Sequence, residues 1–219
     1  HYGEVSNTIS KLTNGEWSYI DQVLFFEKAR PLLLVEGPGD VNYIKKAINV
    51  LRPRNETYKV FNDMDIIHCG GTSNIQRTID EIKQNFPRGK KVIALYDRDE
   101  AGASDLGQAV GRNGDRTDLN TYKKEGIYYL KLPKTVEHGT INFVIEDYFS
   151  KEFRKSIAQS FINNVGGDFS SLPKDLKQKV KDKLSADLDS YDAERMAGFK
   201  VLLDKLCAIL NDQEQVIEV

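Results

Sequence analysis

Apolar positions along this chain follow two rhythms, short continuous runs and helical spacings, which alternate up to residue 132. Trp17, Ile20, Val23, Leu24 and Phe26 predict a helix over 16–29, after a polar stretch over 1–15 read as loop or linker. Pro31 ends that helix, and the run Leu32-Leu33-Leu34-Val35 predicts a strand buried on both faces. Glu36-Gly37-Pro38-Gly39-Asp40 is a turn, and Val41, Ile44, Ile48 and Leu51 return at helical spacing. Residues 52–62 read as polar loop, and Met64 to His68 as a second strand ending at Cys69-Gly70-Gly71. Thr72 or Ser73 can cap a helix with Ile75, Ile79, Ile82 and Phe86 on its core face, stopped by Pro87-Arg88-Gly89. Val92 to Leu95 is a third strand, followed by a small-residue helix around Ala103 to Val110, a polar loop over 111–120 and a fourth strand over Ile127 to Leu132.

The order βαβαβαβ predicts an α/β fold with a parallel sheet flanked by helices. From residue 141 the alternation stops. Ile145, Phe149, Phe153, Ile157 and Phe161 predict one helix, Leu176, Val180, Leu184 and Leu188 a second, and Phe199, Leu202, Leu203, Leu206, Ile209 and Leu210 a third. The organisation expected is an entry segment over 1–29, a sheet core over 30–135 and an all-helical extension over 136–219. The opening, HYGEVSNTISKL, begins in mid-pattern, and the chain is read as part of a longer polypeptide.

Composition narrows the function classes. Of 219 residues, 40 % are hydrophobic and 29 % charged, which suits a globular core and excludes a disordered chain. A net charge of −2 gives no global attraction to polyanions, so any nucleic-acid contact must use a local patch. Cys69 and Cys207 lack Cys-x-x-Cys spacing, which argues against a structural zinc site and for a reducing, cytoplasmic compartment. No apolar run is long enough to cross a membrane.

The chemistry concentrates at the ends of predicted strands. Asp97 and Asp99 leave the third strand one residue apart, so their side chains project to the same side. Glu36 leaves the first strand and Asp40 starts the next helix, with Gly37 and Gly39 allowing the sharp turn between them. In parallel sheets sites form beyond the carboxyl ends of the strands, where Glu36, His68 and Asp97 are expected. Carboxylates gathered this closely repel and call for a cation; hard oxygen donors suit Mg²⁺ or Mn²⁺, and four acids can hold two such ions. Gly70 and Gly71 before a capped helix are a candidate phosphate or DNA contact through backbone amides, with His68 beside them as a candidate base or ligand. A dinucleotide fingerprint fails because Asn42 stands where its third glycine would fall, and no P-loop occurs, so no ATP site is expected.

LLLVEGPGD and VIALYDRDEAG together resemble the two signature motifs of the Toprim domain, found in topoisomerases, bacterial primases, small nucleases and recombination proteins. The resemblance covers residues 30–132 and implies a Toprim-like, Rossmann-type sheet. FVIEDYF, residues 143–149, is similar to the acidic motif that follows the Toprim core in the overcoming-lysogenisation-defect (OLD) nucleases. Those proteins join an ABC-type ATPase to a C-terminal Toprim nuclease. The resemblance implies Glu36, Asp40, Asp97, Asp99 and Glu146 as metal ligands, with Glu36, Asp97 and a late lysine in the reaction. Lys200 is the candidate and Lys205 the alternative. Tyr96 stands where the family has a serine. Primases need a zinc module and topoisomerases a tyrosine nucleophile on a further domain, so a two-metal DNA endonuclease is the expected activity. DNA, an N-terminal ATPase of the same polypeptide and a homodimer formed through it are the expected partners, in phage defence or DNA processing. The alternative is a non-catalytic Toprim module that recruits an effector.

Overall fold

The computed structural model describes residues 30–83, 89–111, 121–135, 142–162 and 172–219, without the side chain of residue 82. The helix expected over 16–29, Phe86, Pro87, Arg88 and most of the 111–120 loop lie outside the described residues. The elements are β1 (Leu32–Val35), α1 (Pro38–Leu51), β2 (Asp65–His68), α2 (Asn74–Ile82), β3 (Val92–Tyr96), α3 (Glu100–Ala109), β4 (Thr121–Lys124), β5 (Ile127–Lys131), α4 (Lys151–Gln159), α5 (Lys174–Ala186), α6 (Lys200–Leu210) and β6 (Val216–Glu218).

The six strands form one sheet in the order β2-β1-β3-β5-β4-β6. β1 runs parallel to β2 and β3, and β3 parallel to β5, as the alternating pattern predicts. The sheet is mixed, however, because β4 is antiparallel to β5. The hairpin between them turns through Glu125 and Gly126, both at positive φ (51° and 82°), the backbone shape of a two-residue hairpin turn. Glutamate is an uncommon choice there, which leaves Gly126 as the turn signal.

The extension is not all-helical. β6 pairs in parallel with β4 and completes the sheet beyond it. The single helix expected over Ile145 to Phe161 is also divided. Ile145–Tyr148 is a 3₁₀ turn, Phe149 is extended, and α4 begins at Lys151 with the Ser150 hydroxyl accepting from the Phe153 amide. Asp147 accepts from the Val144 amide (2.9 Å) and caps the start of the 3₁₀ turn, while extended Phe149 and the Ser150 cap separate it from α4. Residues 52–62, expected as loop, fall in two 3₁₀ helices, Arg52–Arg54 and Glu56–Asp63.

Alternation along the strands splits the core into two layers. Leu33, Val35, Ile93, Leu95, Tyr128 and Leu130 face α1 and the helices after residue 142, including Val180, Leu184, Leu202 and Leu206. Leu32, Leu34, Val92, Ala94, Tyr96 and Tyr129 face α2 and α3 through Ile75, Ile79, Leu106 and Ala109. β1 and β3 are buried along their whole length, at the centre of the sheet. Each fully buried large apolar side chain here contributes about 1.5–3 kcal/mol. Their carboxyl ends are therefore fixed points from which polar side chains can be held in place.

Candidate functional site

Glu36 is the first residue beyond β1. Its carbonyl accepts from the amides of Gly70 and Gly71, each at 3.0 Å, and its carboxylate accepts from the Thr72 hydroxyl. Both glycines have positive φ (75° and 132°), which lets two successive amides aim at one carbonyl. These amides are thus engaged by Glu36, and the Gly70-Gly71 turn ties β2 to β1 instead of presenting donors to a phosphate. His68 lies opposite Val35 in the β1–β2 register, half-buried at the same edge. Asp40 sits in the first turn of α1 and accepts from the Gly37 amide at 2.8 Å.

Asp97 is the first residue beyond β3. Asp99 caps α3, with Oδ1 accepting from the Gly102 amide at 2.8 Å, so one of its oxygens has a structural task. Gly102 is dictated by the close approach of the chain to itself: a Cβ there would stand 2.2 Å from the Asp97 carbonyl oxygen. The segment leaving β3 is pinned too: the Arg98 amide donates to the Phe143 carbonyl at 2.8 Å. That bond brings the segment before Glu146 alongside the exit of β3.

Glu146 and Asp147 are adjacent and both buried, yet differently provided for. Asp147 pairs with Arg154 inside the protein and caps its own turn. Glu146 holds Lys181 Nζ at 3.0 Å through Oε1, while its buried Oε2 has no hydrogen-bond partner among the described residues. The turn that carries Glu146 is held from behind, since a Cβ on Gly198 would stand 2.0 Å from the Tyr148 carbonyl oxygen.

The acids act on one another. Desolvation pushes the Asp97 carboxyl well above the usual range, and Asp40, Glu146, Glu36 and Asp99 add to it. Asp40 is pushed up to about 7 by desolvation, against the Gly37 amide; Glu146 and Glu36 raise it further and Lys181 lowers it. For Lys181, burial alone favours the neutral amine, but Glu146, Asp97 and Asp40 outweigh it and hold the ammonium above its ordinary range.

So Glu36, Asp40, Asp97, Asp99 and Glu146 are gathered at the carboxyl edge of the central strands. The lysine brought to them is Lys181 of α5. Lys200 is exposed and paired with Asp204 one turn along α6, and Lys205 is paired with Glu214. Tyr96 points into the α2–α3 layer, away from the acids. Sequence reasoning offers Thr72 only as a helix cap and gives Lys181 and Gly102 no place beside the acids. Gly102 had a signal, a glycine in the first turn of a helix after Asp-x-Asp; Lys181 is one of five lysines in α5 and had none.

The donor set is hard carboxylate oxygen, one oxygen of it buried without a partner, which suits Mg²⁺ or Mn²⁺. As placed, no three His, Cys, Asp or Glu side chains among the described residues form a group that could hold one ion. No helix among the described residues is long and apolar enough to cross a membrane. No protein-family model, curated protein or solved structure matches this chain.

Proposed function

We propose that this chain is a divalent-metal-dependent DNA endonuclease of Toprim type, similar to the nuclease part of OLD proteins. The observation that carries the reading is the gathering of Glu36, Asp40, Asp97 and Glu146, on three separate segments, around one lysine. Glu36, Asp97 and Glu146 would hold Mg²⁺ or Mn²⁺, with Asp40 and the free oxygen of Asp99 completing two ions. The bound ions supply a nucleophilic water and Lewis acidity toward a phosphoryl oxygen.

The chain's own residues have definable tasks. Thr72 and the Gly70-Gly71 amides hold Glu36 in one orientation. The Arg98–Phe143 bond keeps the Asp97 and Glu146 segments in register. Lys181 supplies positive charge beside the acids and offsets charge building on the phosphate. In this reading the protein works in the cytoplasm, coupled to an ABC-type ATPase of the same polypeptide that also dimerises it, in phage defence or DNA processing.

Cleavage of supercoiled plasmid with and without Mg²⁺ or Mn²⁺ tests the reading. The chain should cut only with metal, and Asp97→Asn should abolish cutting. Lys181→Ala should lower the rate on the order of 10²–10³-fold, while Lys200→Ala should cut at the wild-type rate. Metal-independent cutting, or normal cutting by Asp97→Asn, would sink it; a folded chain that cuts under neither condition would leave the non-catalytic assembly module as the better reading.

A further inference from the structure

The charges of α5 are sorted by face. Leu176, Val180 and Leu184 are buried and define its inner side. Lys181 Nζ lies 3.0 Å from Glu146 Oε1, which marks the flank turned toward the acids. At about 100° per residue, Lys177 and Lys174, four and seven residues before Lys181, return to that same flank. Lys174 is exposed and Lys177 half-buried. Gln178 and Ser185 complete the flank, which thus holds three lysines, no acid and no aromatic ring. Asp175 and Asp182 fall on the outer side, where Asp182 accepts from Gln178 Nε2 at 2.8 Å. Lys179 and Lys183 fall on the opposite flank, and Lys183 is paired there with Asp187 at 3.0 Å. Past the helix the chain turns acidic, with Asp187 and Asp189, so the basic row runs one way only from the acid edge.

We infer that this flank of α5 seats duplex DNA: Lys174 and Lys177 hold the phosphate backbone of one strand and lead it to Lys181 and the acids. The inference rests on the DNA endonuclease reading above and names where its substrate lies. A rise of about 1.5 Å per residue puts Lys177 about 6 Å and Lys174 about 10 Å from Lys181 along the helix axis. Phosphates of one strand advance about 3.4 Å per base pair, so the row spans about three phosphate steps. A chain of net charge −2 attracts DNA only through a local patch, and a flank without carboxylates is where a polyanion meets least repulsion. Single strands are held by rings on which their bases stack, and this flank offers none, which favours a duplex gripped by its backbone. Lysine contacts to phosphate carry no sequence information, so the flank sets position and leaves the choice of sequence elsewhere. Where the row reaches the acids, Lys181 stands against Glu146 and softens their repulsion of the incoming strand.

Fluorescence anisotropy of a labelled duplex, in EDTA so that nothing is cut and at salt from about 50 to about 200 mM, reads this directly. The double variant Lys174→Gln, Lys177→Gln should bind on the order of tenfold more weakly for each lysine removed near 0.1 M salt, and its salt slope should shrink by about 1 for each. The double variant Lys179→Gln, Lys183→Gln changes net charge equally on the opposite flank and should match the wild type in both. With Mg²⁺ present, the Lys174→Gln, Lys177→Gln chain should show a raised KM for plasmid cleavage with kcat near the wild type. Equal weakening by the two double variants would mean that DNA senses overall charge, and would overturn the seat. Unchanged binding by Lys174→Gln, Lys177→Gln, or a single strand bound as tightly as the duplex, would overturn it too. A chain that binds through this flank and never cuts keeps the seat and removes the nuclease; a chain that cuts with metal but binds without regard to either lysine removes the seat alone.

Discussion

The two ends of the central strands carry opposite charge, and they treat it differently. At the amino end, Arg30, Lys83, Lys91 and Lys123 are each matched by an acid: Asp65 at 3.9 Å, Glu125 at 3.6 Å, Asp212 at 2.8 Å and Glu218 at 3.2 Å. Lys91 also donates to the Leu210 carbonyl at 2.6 Å, which places a cation on the C-terminus of α6. Lys90 is buried there and pushed down to about 8 by desolvation, with Asp65 pulling the other way and Arg30 adding to the fall. At the carboxyl end, five acids share one lysine, which Glu146 holds. A charge matched within the fold holds the fold together. Charges gathered without a match raise the energy of the folded state, and their natural relief is a ligand of opposite sign.

The sharpest break in the comparison comes from Gly102. A methyl group there meets a backbone oxygen that no side-chain movement can clear, so Gly102→Ala should cost about 3 kcal/mol and disarm the Asp97 edge. Chemical denaturation together with plasmid cleavage checks both; a stable, active Gly102→Ala would mean that this edge is not rigid.

Asp40 gives the next effect. It keeps its proton to about pH 7 in the fold but releases it at its ordinary 3.8 when unfolded. Between those values the folded state holds the extra proton, so metal-free stability falls as pH rises from about 4 to about 7 and stays low above. Asp40→Asn should remove that fall and gain about 2 kcal/mol at pH 8, after allowing for contact with water. In melts this is a rise of about 4–8 °C for a chain of this size. A metal-free melting curve that is flat between pH 4 and 8 would contradict the strain assigned to the acids.

The smallest effect belongs to the amino end. Lys91→Met should lose about 1 kcal/mol through its bonds to the α6 C-terminus and Asp212, with cleavage unchanged. A loss of cleavage in a folded Lys91→Met would mean that the two ends are not separate in purpose.

Much of this was legible along the chain, for a physical reason. β1 and β3 are buried on both faces, so their sequences are unbroken apolar runs, and the acids that end them stand out by contrast. The strands β4 and β6, TYKK and VIE, have no such contrast: one is polar and both are short. The break between Tyr148 and Lys151 was hidden because Ile145, Phe149, Phe153 and Ile157 keep helical spacing across it, while the Ser150 cap starts a new helix there. Lys181 was hidden more deeply. Its neighbours Lys177, Lys179 and Lys183 look the same in sequence, and only the packing of Leu176, Val180 and Leu184 turns one of them toward Glu146. Helical phase gives the face; which element that face meets is a tertiary fact.

The two-layered core also bears on how the protein is made. The face of the sheet carrying Leu33, Val35, Ile93, Leu95 and Leu130 is covered largely by segments after residue 142. A ribosome working from the amino end produces all of those strands before most of their cover exists. For that interval the nascent chain shows a broad greasy surface, covered among the described residues by α1 and by Tyr58 and Phe61, of the kind that chaperones bind and that sticks to its copies. Bacterial or eukaryotic hosts short of such helpers would accumulate it as inclusion bodies, and slowing translation ahead of residue 142 would make that worse.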